Sequence, residues 1–412
     1  MTITNAPPSR SKRPLRTGRL GRLAGMAQAG VGLVRGSLSS DPIAPLERAA
    51  ETLSELRGLA TKAGQMAGIW SAMLPPAERA RAEPVLARLR AATATSDPVA
   101  VRALLEQELG APVGALFASF DEAPFASASL GQVHRARLFD ADGGLEVAVK
   151  IQHPGIDVAL RADLDNAARF GGIATLLAIP SAGAMVAEVR ALMEEELDYE
   201  AEARWLQRFA AIVLGDPVLS VPRLVPSRSS RRVLTTELVH GLTVAEASRL
   251  PHAAAQARAV RRFVRDTWLE HGLLFADPHA GNWIFHEDGR VTVLDFGCIA
   301  RFGEEDRAGF RATLDALGRG DRATASGHVR ALLGARDSSA AAPSIEMLLL
   351  ALAPLASDVP VRAAQLAELA RVGADAKKRM LGSRLALPTW LPMLLRALIG
   401  TMALLVELDG AD

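Results

Sequence analysis

Three short segments, in chain order, carry side chains suited to phosphoryl transfer. The segment 147–150 reads as a strand ending in Lys150, Asp277 precedes Asn282 by five residues, and Asp295 begins an Asp-Phe-Gly sequence. Phosphoryl transfer needs a lysine for nucleotide phosphates, a carboxylate for the attacking hydroxyl, and oxygen ligands for the metal. The order and spacing predict a bound nucleotide with Mg²⁺. Asn282 and Asp295 are the predicted metal ligands, and Asp277 is predicted to orient or deprotonate the hydroxyl.

A lysine in this role needs a carboxylate on a nearby helix to hold it, and Glu202 is the predicted partner of Lys150. If residues 194–204 are helical, Asp198 and Glu202 share a face at i, i+4 spacing. Glu196 is then turned by about 120° from Glu202 and faces something else. Two alternatives stay open at this point. Lys150 can be a solvated lysine at a strand end, and the acidic residues of 194–202 can form one solvated face.

The segment before the lysine strand is expected to cover the phosphates. It runs from Phe125 to His134 and includes the small residues Ala126-Ser127-Ala128-Ser129. It contains only one glycine, Gly131, where a protein kinase has a glycine-rich loop. Small residues keep the backbone approachable, although the loop is stiffer than a glycine-rich one. The Ser129 hydroxyl can reach a phosphate. We expect this loop to tune nucleotide choice and turnover rather than to abolish binding.

Composition indicates a globular protein with two lobes or domains, because 412 residues exceed what a single core usually supports. The net charge of +1 gives no global field that favours nucleic acid. The only cysteine, Cys298, excludes an intrachain disulfide and fits a reducing compartment such as the cytoplasm. The first forty residues are basic and contain no Asp or Glu. A solvated tail is the favoured interpretation, and a lipid-binding segment and an organelle transit peptide are the alternatives.

The apolar stretch from Trp390 to Leu408 raises the question of a membrane span. Pro392 and Arg396 interrupt it, and the uninterrupted run is shorter than the roughly 20 residues that a span requires. We therefore predict a buried core helix and no transmembrane segment.

Periodicity and turn residues predict a small sheet with helices, followed by a helical lobe. The predicted hairpin pairs Phe125–Leu138 with Leu145–Gln152 across a turn at residues 140–144, and a further strand covers 232–239. Two short strands flank Gly289, after a loop that runs to Asn282. Predicted helices cover residues 42–70, 77–92, 97–109, 156–179, 183–214 and 243–271, and most of the chain after the last strand.

Five motifs together resemble those of the UbiB (aarF-domain) family of atypical kinase-like proteins. Lys62-Ala63-Gly64-Gln65 matches the KxGQ motif of the family, the segment 126–129 matches its alanine-rich loop, and Glu196-Leu197-Asp198 matches its ExD motif. The loop 277–282 and the Asp-Phe-Gly sequence complete the set. The resemblance runs from about Pro42 to the C-terminus. The loop of the family usually reads Ala-Ala-Ala-Ser, so Ser127 is a departure.

The resemblance implies an α+β, helix-rich, protein-kinase-like bilobal fold with an N-terminal helical extension. The implied division is a basic segment 1–41, a helical extension 42–110, an N-lobe 111–240 with inserted helices, and a helical C-lobe 241–412. In the family the KxGQ helix covers the acceptor site. The resemblance therefore implies that Lys62 and Gln65 cap the site and pair with Glu196. The implied regulatory residues are Lys62, Gln65, Glu196 and Asp198.

The implied hinge is Glu237-Leu238-Val239, whose backbone would bind adenine. The implied function is an atypical kinase or ATPase that uses Mg-ATP and supports coenzyme Q or related isoprenoid-lipid metabolism. Expected partners are a lipid or isoprenoid precursor or a lipid-handling protein, with peripheral membrane contact and no nucleic acid. Two alternatives stay open: a nucleotide-gated scaffold with negligible turnover, and a small-molecule phosphotransferase, which the Asp-Phe-Gly and KxGQ motifs disfavour.

Overall fold

The computed structural model of the chain describes residues 96–128, 130–162, 165, 194–335, 338–381 and 388–410. The basic segment 1–41 and the predicted helices 42–70 and 77–92 lie outside the described residues. The predicted helix 156–179 lies partly outside them, and its described residues from 156 to 162 are helical.

The first lobe is built on an antiparallel sheet whose centre is the predicted hairpin. Strands β3 and β4 pair from Gly131 opposite Gln152 to Arg137 opposite Glu146. The connecting turn needs glycine, because Gly143 has φ +93°. The strand order is β1-β3-β4-β6, and β2 pairs with β3. The strands are β1 (Ser119–Phe120), β2 (Ala126–Ser127), β3 (Gly131–Arg137), β4 (Glu146–Gln152) and β6 (Val233–Glu237).

The prediction of one continuous strand over Phe125–Leu138 was wrong. The segment folds back on itself, so that Ala126 in β2 lies opposite Val133 in β3. The fold-back is closed by the Ala128 amide, which donates to the Gly131 carbonyl oxygen at 2.9 Å. Small residues permit this tight return, which a reading based on alternation alone does not detect.

Helix α1 (Pro98–Leu109) confirms the predicted helix that follows Asp97. The Asp97 carboxylate accepts from the Val99 amide at 3.3 Å, and Gly110 ends the helix with φ +71°. The buried face of α1 belongs to the same apolar cluster as Val147 and Val149 of β4. This helix, with the short helix α2 (Val113–Leu116), therefore covers one face of the sheet.

The predicted helix 183–214 is broken inside its acidic segment. Residues 194–196 form a helical turn, the chain leaves helical geometry at Asp198, and helix α3 runs from Tyr199 to Ile212. The Asp198 carboxylate caps α3 by accepting from the amides of Glu200 and Ala201 at 3.0 and 3.3 Å. The expectation that Asp198 and Glu202 share a face of one continuous helix was wrong, because a short acidic side chain competes for backbone amides.

The second lobe is largely helical, with two small sheets. Strand β7 pairs antiparallel with β10, and a second sheet has the order β5-β9-β8. The two short strands on either side of Gly289 are confirmed as β8 and β9, whereas β7 was missed within a predicted loop. The strands are β5 (Leu219–Ser220), β7 (Leu273–Phe275), β8 (Trp283–Phe285), β9 (Val291–Val293) and β10 (Ile299–Arg301).

The predicted helix 243–271 has the correct ends and one interruption. Thr243 and Glu246 form a capping box on a four-residue helix, and Gly272 ends the second helix with φ +72°. Pro251 lies between the two helices because proline disrupts a helix interior. The helices of this lobe are α4 (Val244–Ala247), α5 (Ala253–His271), α6 (Glu304–Gly318), α7 (Arg322–Leu332), α8 (Ser338–Ala356), α9 (Ala363–Leu381) and α10 (Leu391–Leu408).

The last helix, α10, is a core element of the second lobe, as predicted. Its mean hydropathy of 1.8 and its 18 residues are sufficient for a membrane span by length and composition alone, yet 67% of it is buried within the protein. Leu394, Leu398 and Leu405 are at most 1% exposed and belong to the largest apolar cluster. The helix thus packs against the elements that carry the predicted catalytic loop.

Candidate functional site

Lys150 joins the two lobes through two carboxylates. Its Nζ donates to Glu202 Oε1 and Oε2 at 2.8 and 2.9 Å, and to Asp295 Oδ2 at 3.0 Å. Glu202 lies on α3 and Asp295 follows β9, so three separate elements meet at one ammonium group. The predicted pairing of Lys150 with Glu202 is present. The alternatives of a solvated lysine and a solvated Glu202 do not hold, because the side chains are 16% and 6% exposed.

The charges of these three groups are strongly coupled. Burial and the neighbouring Asp295 raise the pKa of Glu202 to about 7, against the opposing effect of Lys150. Burial also opposes ionisation of Asp295, but Lys150 and the Gly297 amide lower its pKa to about 2. The Lys150 pKa is raised well above its ordinary value, because the two carboxylates outweigh burial. The ammonium is therefore firmly charged, and Asp295 is ionised at neutral pH.

Asp277 faces the same cleft as this triad. The cleft has a volume of about 360 Å³ including its solvent-open part, and Leu130, Lys150, Glu196, Tyr199, Glu202, Asp277, Asp295, Gly297 and Cys298 line it. The Asp277 carbonyl oxygen accepts from Asn282 Nδ2 at 2.8 Å, which fixes the loop between the two residues. His279 has a structural hydrogen bond, because its Nδ1 accepts from the Gly281 amide at 3.0 Å.

The donor set fits a magnesium–nucleotide complex rather than a metal held by protein alone. Among the residues that the structure describes, no three His, Cys, Asp or Glu side chains form a metal-binding group. Mg²⁺ is usually bound through one or two carboxylates together with substrate phosphates. Asp295 supplies a carboxylate, and the bond from Asn282 Nδ2 leaves Asn282 Oδ1 as the amide atom able to ligate a cation.

Tyr199 is a residue of the site that sequence reasoning missed. Lys150 Nζ lies 5.0 Å from the centroid of its ring, and the ring is 2% exposed. Burial raises the pKa of the Tyr199 hydroxyl, so it stays neutral. Its position directly after the ExD motif, as the first residue of α3, was the available signal.

The described part of the small-residue loop lies two strands from Lys150, because Ala126 is opposite Val133 and Val133 is opposite Lys150. Ala126 and Ser127 line a separate surface cavity with Phe125 and His153, and Ser129 lies outside the described residues. A Cβ at Gly131 would lie 2.3 Å from the Ile151 carbonyl oxygen and 2.8 Å from the Tyr199 hydroxyl. The single glycine of this loop is thus required by close packing against β4. The predicted nucleotide contacts of residues 126–129 stay a prediction.

The remaining predicted site residues belong to the hinge, Glu237 and Val239, and to the ExD motif, Glu196 and Asp198. The Glu237 amide donates to the Arg223 carbonyl oxygen at 2.8 Å, which fixes the hinge segment before Val239. Glu196 lines the cleft, whereas Asp198 caps α3 and lies 3.5 Å from Arg204. The predicted pairing of Glu196 with the KxGQ motif stays a prediction, because Lys62 and Gln65 lie outside the described residues.

Arg396 of α10 was also missed as a site residue. Its Nη2 lies 2.7 Å from Asp277 Oδ1, and its side chain is 7% exposed. The sequence showed only an arginine that interrupts an apolar run. A lone charge on the buried face of a core helix was the available signal, since buried charges are usually paired.

An antiparallel sheet with a lysine strand, a helix that supplies the paired glutamate, and a helical lobe with the Asp277 loop define a kinase-like protein. The chain matches the ABC1 atypical kinase-like domain over residues 88–328. The chain belongs to this family, which confirms the resemblance to UbiB and aarF-domain proteins.

Relatives and a solved structure agree with this assignment. "Atypical kinase COQ8B, mitochondrial" from Danio rerio is 30% identical over 319 residues, which covers 74% of this chain and 50% of that protein. An uncharacterized protein of Mycobacterium tuberculosis is 37% identical over 246 residues, 57% of this chain and 50% of that protein. The chain thus matches about half the length of these curated relatives. A solved structure of Rv3197 from Mycobacterium tuberculosis in complex with erythromycin is similar to this chain, with 26% identity and a TM-score of 0.58. The match covers 95% of this chain and 94% of that chain.

Proposed function

We propose that this protein binds Mg-ATP in the cleft and transfers or hydrolyses the γ-phosphate. We further propose that this activity supports coenzyme Q or related isoprenoid-lipid metabolism. The observation that carries the first proposal is the ammonium of Lys150, which is held by Glu202 and Asp295 in the cleft that Asp277 also lines. The resemblance to the UbiB family supports the second, and one relative is named "Atypical kinase COQ8B, mitochondrial".

Each residue of the cleft has a defined task in this proposal. Lys150 binds phosphate oxygens and is kept in place by Glu202. Asp277 orients the acceptor hydroxyl and takes its proton. Asp295 and Asn282 hold Mg²⁺ through oxygen atoms. When bound, Mg-ATP supplies the phosphoryl group and the positive charge that stabilises its transfer.

The acceptor is proposed to be a lipid or isoprenoid precursor, or a lipid-handling protein met at a membrane surface. Glu196 lines the cleft, and the proposed cap formed by Lys62 and Gln65 would restrict access for a peptide. A reducing compartment fits the single buried cysteine, Cys298. Water is the default acceptor when no lipid is present.

The proposal is tested by ATP hydrolysis with purified protein, with and without liposomes and phenolic lipid-precursor mimics. Asp295→Asn should lower turnover by at least about 100-fold, because loss of a metal ligand costs several kcal/mol of transition-state stabilisation. Asp288→Asn is the matched control, since Asp288 is half exposed and pairs with Arg290 on the surface. Turnover that is equal in the Asp295→Asn variant and the wild type would refute the assignment.

A nucleotide-gated scaffold is the second candidate, and the Lys150–Asp295 ion pair favours it. The carboxylate predicted to hold the metal is already engaged by a cation of the protein. Such a protein would bind Mg-ATP and change shape with negligible turnover. Single-turnover kinetics separates the two candidates: bound ATP that stays intact for hours supports the scaffold, and conversion to ADP supports the kinase or ATPase.

A further inference from the structure

Arg396 brings a charge from the far end of the chain to the catalytic loop. It lies in an otherwise apolar stretch of α10, and the residue is 6% exposed. Its Nη2 is 2.7 Å from Asp277 Oδ1. The Nη2 and Nε groups have no aligned hydrogen-bond acceptor among the described residues, so the contact with Asp277 is an ion pair rather than a directed hydrogen bond.

The helix approaches the loop at a second point, one turn further along α10. A Cβ at Gly400 would lie 2.9 Å from Pro278 Cγ, closer than ordinary van der Waals contact. Residues 396 and 400 are on the same face of the helix because four residues make about one turn. The α10 face thus contacts two consecutive residues of the loop, Asp277 and Pro278, and glycine allows the close approach.

The placement of the guanidinium is costly without its partner. A buried charge is unfavourable unless it is paired, and Asp277 is the carboxylate in contact with it. Burial lowers the Arg396 pKa, but the neighbouring Cys298 and Asp277 outweigh this effect and raise it, so the guanidinium stays charged. Arg396 is not among the residues that line the cleft. Asp277 is the carboxylate that it contacts, and Asp295 is a weaker electrostatic neighbour, so Arg396 acts on the cleft mainly through Asp277.

We propose that Arg396 is a positioning residue for Asp277, and that α10 is part of the phosphoryl-transfer site. This inference rests on the proposed function. The ion pair engages Asp277 Oδ1 and leaves Oδ2 as the oxygen that accepts the hydroxyl proton.

The test compares two buried arginines of the second lobe. Arg396 lies on α10, and Arg261 pairs with a residue just past the end of that helix. Arg261 Nη2 pairs with Asp409, just past α10, and their side chains are 3% and 4% exposed. Arg396→Gln should lower kcat by about 100-fold with little change in KM for ATP, as expected for a displaced reacting group. Arg261→Gln breaks a pair that is more deeply buried and whose residues do not line the cleft, and it should leave kcat within about threefold of the wild type.

Folding is monitored by circular dichroism and thermal unfolding. Kinetics are measured at a temperature below the unfolding transition of the least stable variant. Arg396→Lys keeps the charge and serves as the second variant if Arg396→Gln does not fold. It should recover part of the lost kcat, because an ammonium can still contact Asp277. Equal losses of kcat in Arg396→Gln and Arg261→Gln, or no recovery in Arg396→Lys, would overturn the positioning role.

A double variant tests whether Arg396 acts through Asp277 alone. Asp277→Asn should lower turnover, and adding Arg396→Gln should lower it no further, because residues that act as a unit are not additive. A further loss in the double variant would overturn the proposal. Failure of the proposed function is recognised separately: Asp295→Asn would then leave turnover unchanged. If Asp295→Asn abolishes turnover while Arg396→Gln equals Arg261→Gln, only the role of Arg396 is wrong.

Discussion

Lys150 Nζ lies 3.0 Å from Asp295 Oδ2, although the two residues are 145 positions apart in the chain. The same ammonium also donates to Glu202 Oε1, at 2.8 Å. One cation thus faces two carboxylates, which leaves the cluster with excess negative charge when both are ionised. In the proposed complex, the Mg²⁺ ion that accompanies ATP would bring positive charge to these carboxylates.

The first prediction concerns removal of the central cation. Lys150→Met should lower the free energy of unfolding by about 3 kcal/mol, because it removes the cation that pairs with the buried Glu202 and the partly buried Asp295. Urea unfolding measures the change. In the Lys150→Met, Glu202→Gln double variant one of these charges is also removed, so part of the stability should return. A double variant that is as unstable as Lys150→Met would show that the carboxylates do not cause the loss.

The second prediction concerns pH. Glu202 has a pKa of about 7 in the folded protein against an ordinary value of 4.5, so the folded state holds the proton more tightly than the unfolded chain. The stability from this group is present below the unfolded value and is lost as pH rises through about 7. As pH rises from 5 to 8, the free energy of unfolding of Glu202→Gln should therefore rise relative to that of the wild type by roughly 1–3 kcal/mol. ATP turnover should be lower in this variant than in the wild type.

Denaturant unfolding at several pH values measures this difference. Glu200→Gln is the control, because Glu200 is exposed on the same helix and its curve should run parallel to that of the wild type. If Glu202→Gln also ran parallel to the wild type, the carboxyl of Glu202 would not titrate in this range.

The third prediction concerns the glycine beside the lysine strand. Gly131→Ala should destabilise the protein by about 1–3 kcal/mol, because the new Cβ would overlap the Ile151 backbone and force β3 and β4 apart. ATP affinity should fall with it, since Lys150 lies on β4. Gly327→Ala is the control: Gly327 is exposed within α7 with open space around it, and alanine there should stabilise the helix by about 0.5–1 kcal/mol.

The fourth prediction separates the ring of Tyr199 from its hydroxyl. The hydroxyl oxygen is buried without a hydrogen-bond partner among the described residues, and the ring lies under Lys150. Tyr199→Phe should raise the free energy of unfolding by about 1 kcal/mol, because it removes only the unpaired group. Tyr199→Leu should lower it, because the cation–π contact is lost. Equal destabilisation by both changes would mean that the hydroxyl makes a bond.

The central pairing could be predicted because motif order carries long-range information. Lys150, Glu202 and Asp295 were assigned from their positions in a known sequence of functional parts, and the structure places them within hydrogen-bonding distance. The hairpin and α1 followed from local signals, the turn glycines and the Asp97 cap. These are features that neighbouring residues determine.

The breaks in the predicted helices depended on competition between local signals. Asp198 lies in an acidic segment whose pattern predicts a helix. In the structure its carboxylate instead accepts hydrogen bonds as the N-cap of α3. Pro251 divided a stretch that apolar spacing had joined. Both interruptions matter for the site, because the break at Asp198 is what allows Glu196 to line the cleft with Glu202.

The contacts of Tyr199, Gly131 and Arg396 could not be predicted, because each depends on residues distant in sequence. Helical periodicity placed Arg396 within a buried face but gave no partner for it. The partner is Asp277, which lies on a different element and was assigned a role of its own. Tertiary packing alone connects the two.

Where the family match ends has a practical bearing on work with this chain. The matched region stops at residue 328, whereas the guanidinium that contacts Asp277 and the glycine that fits against Pro278 both come from α10. A fragment trimmed to the matched boundaries would retain every recognised motif between residues 126 and 297. It would still lack α10, which contacts the loop 277–282, and the apolar surface exposed by the loss of this helix would promote aggregation.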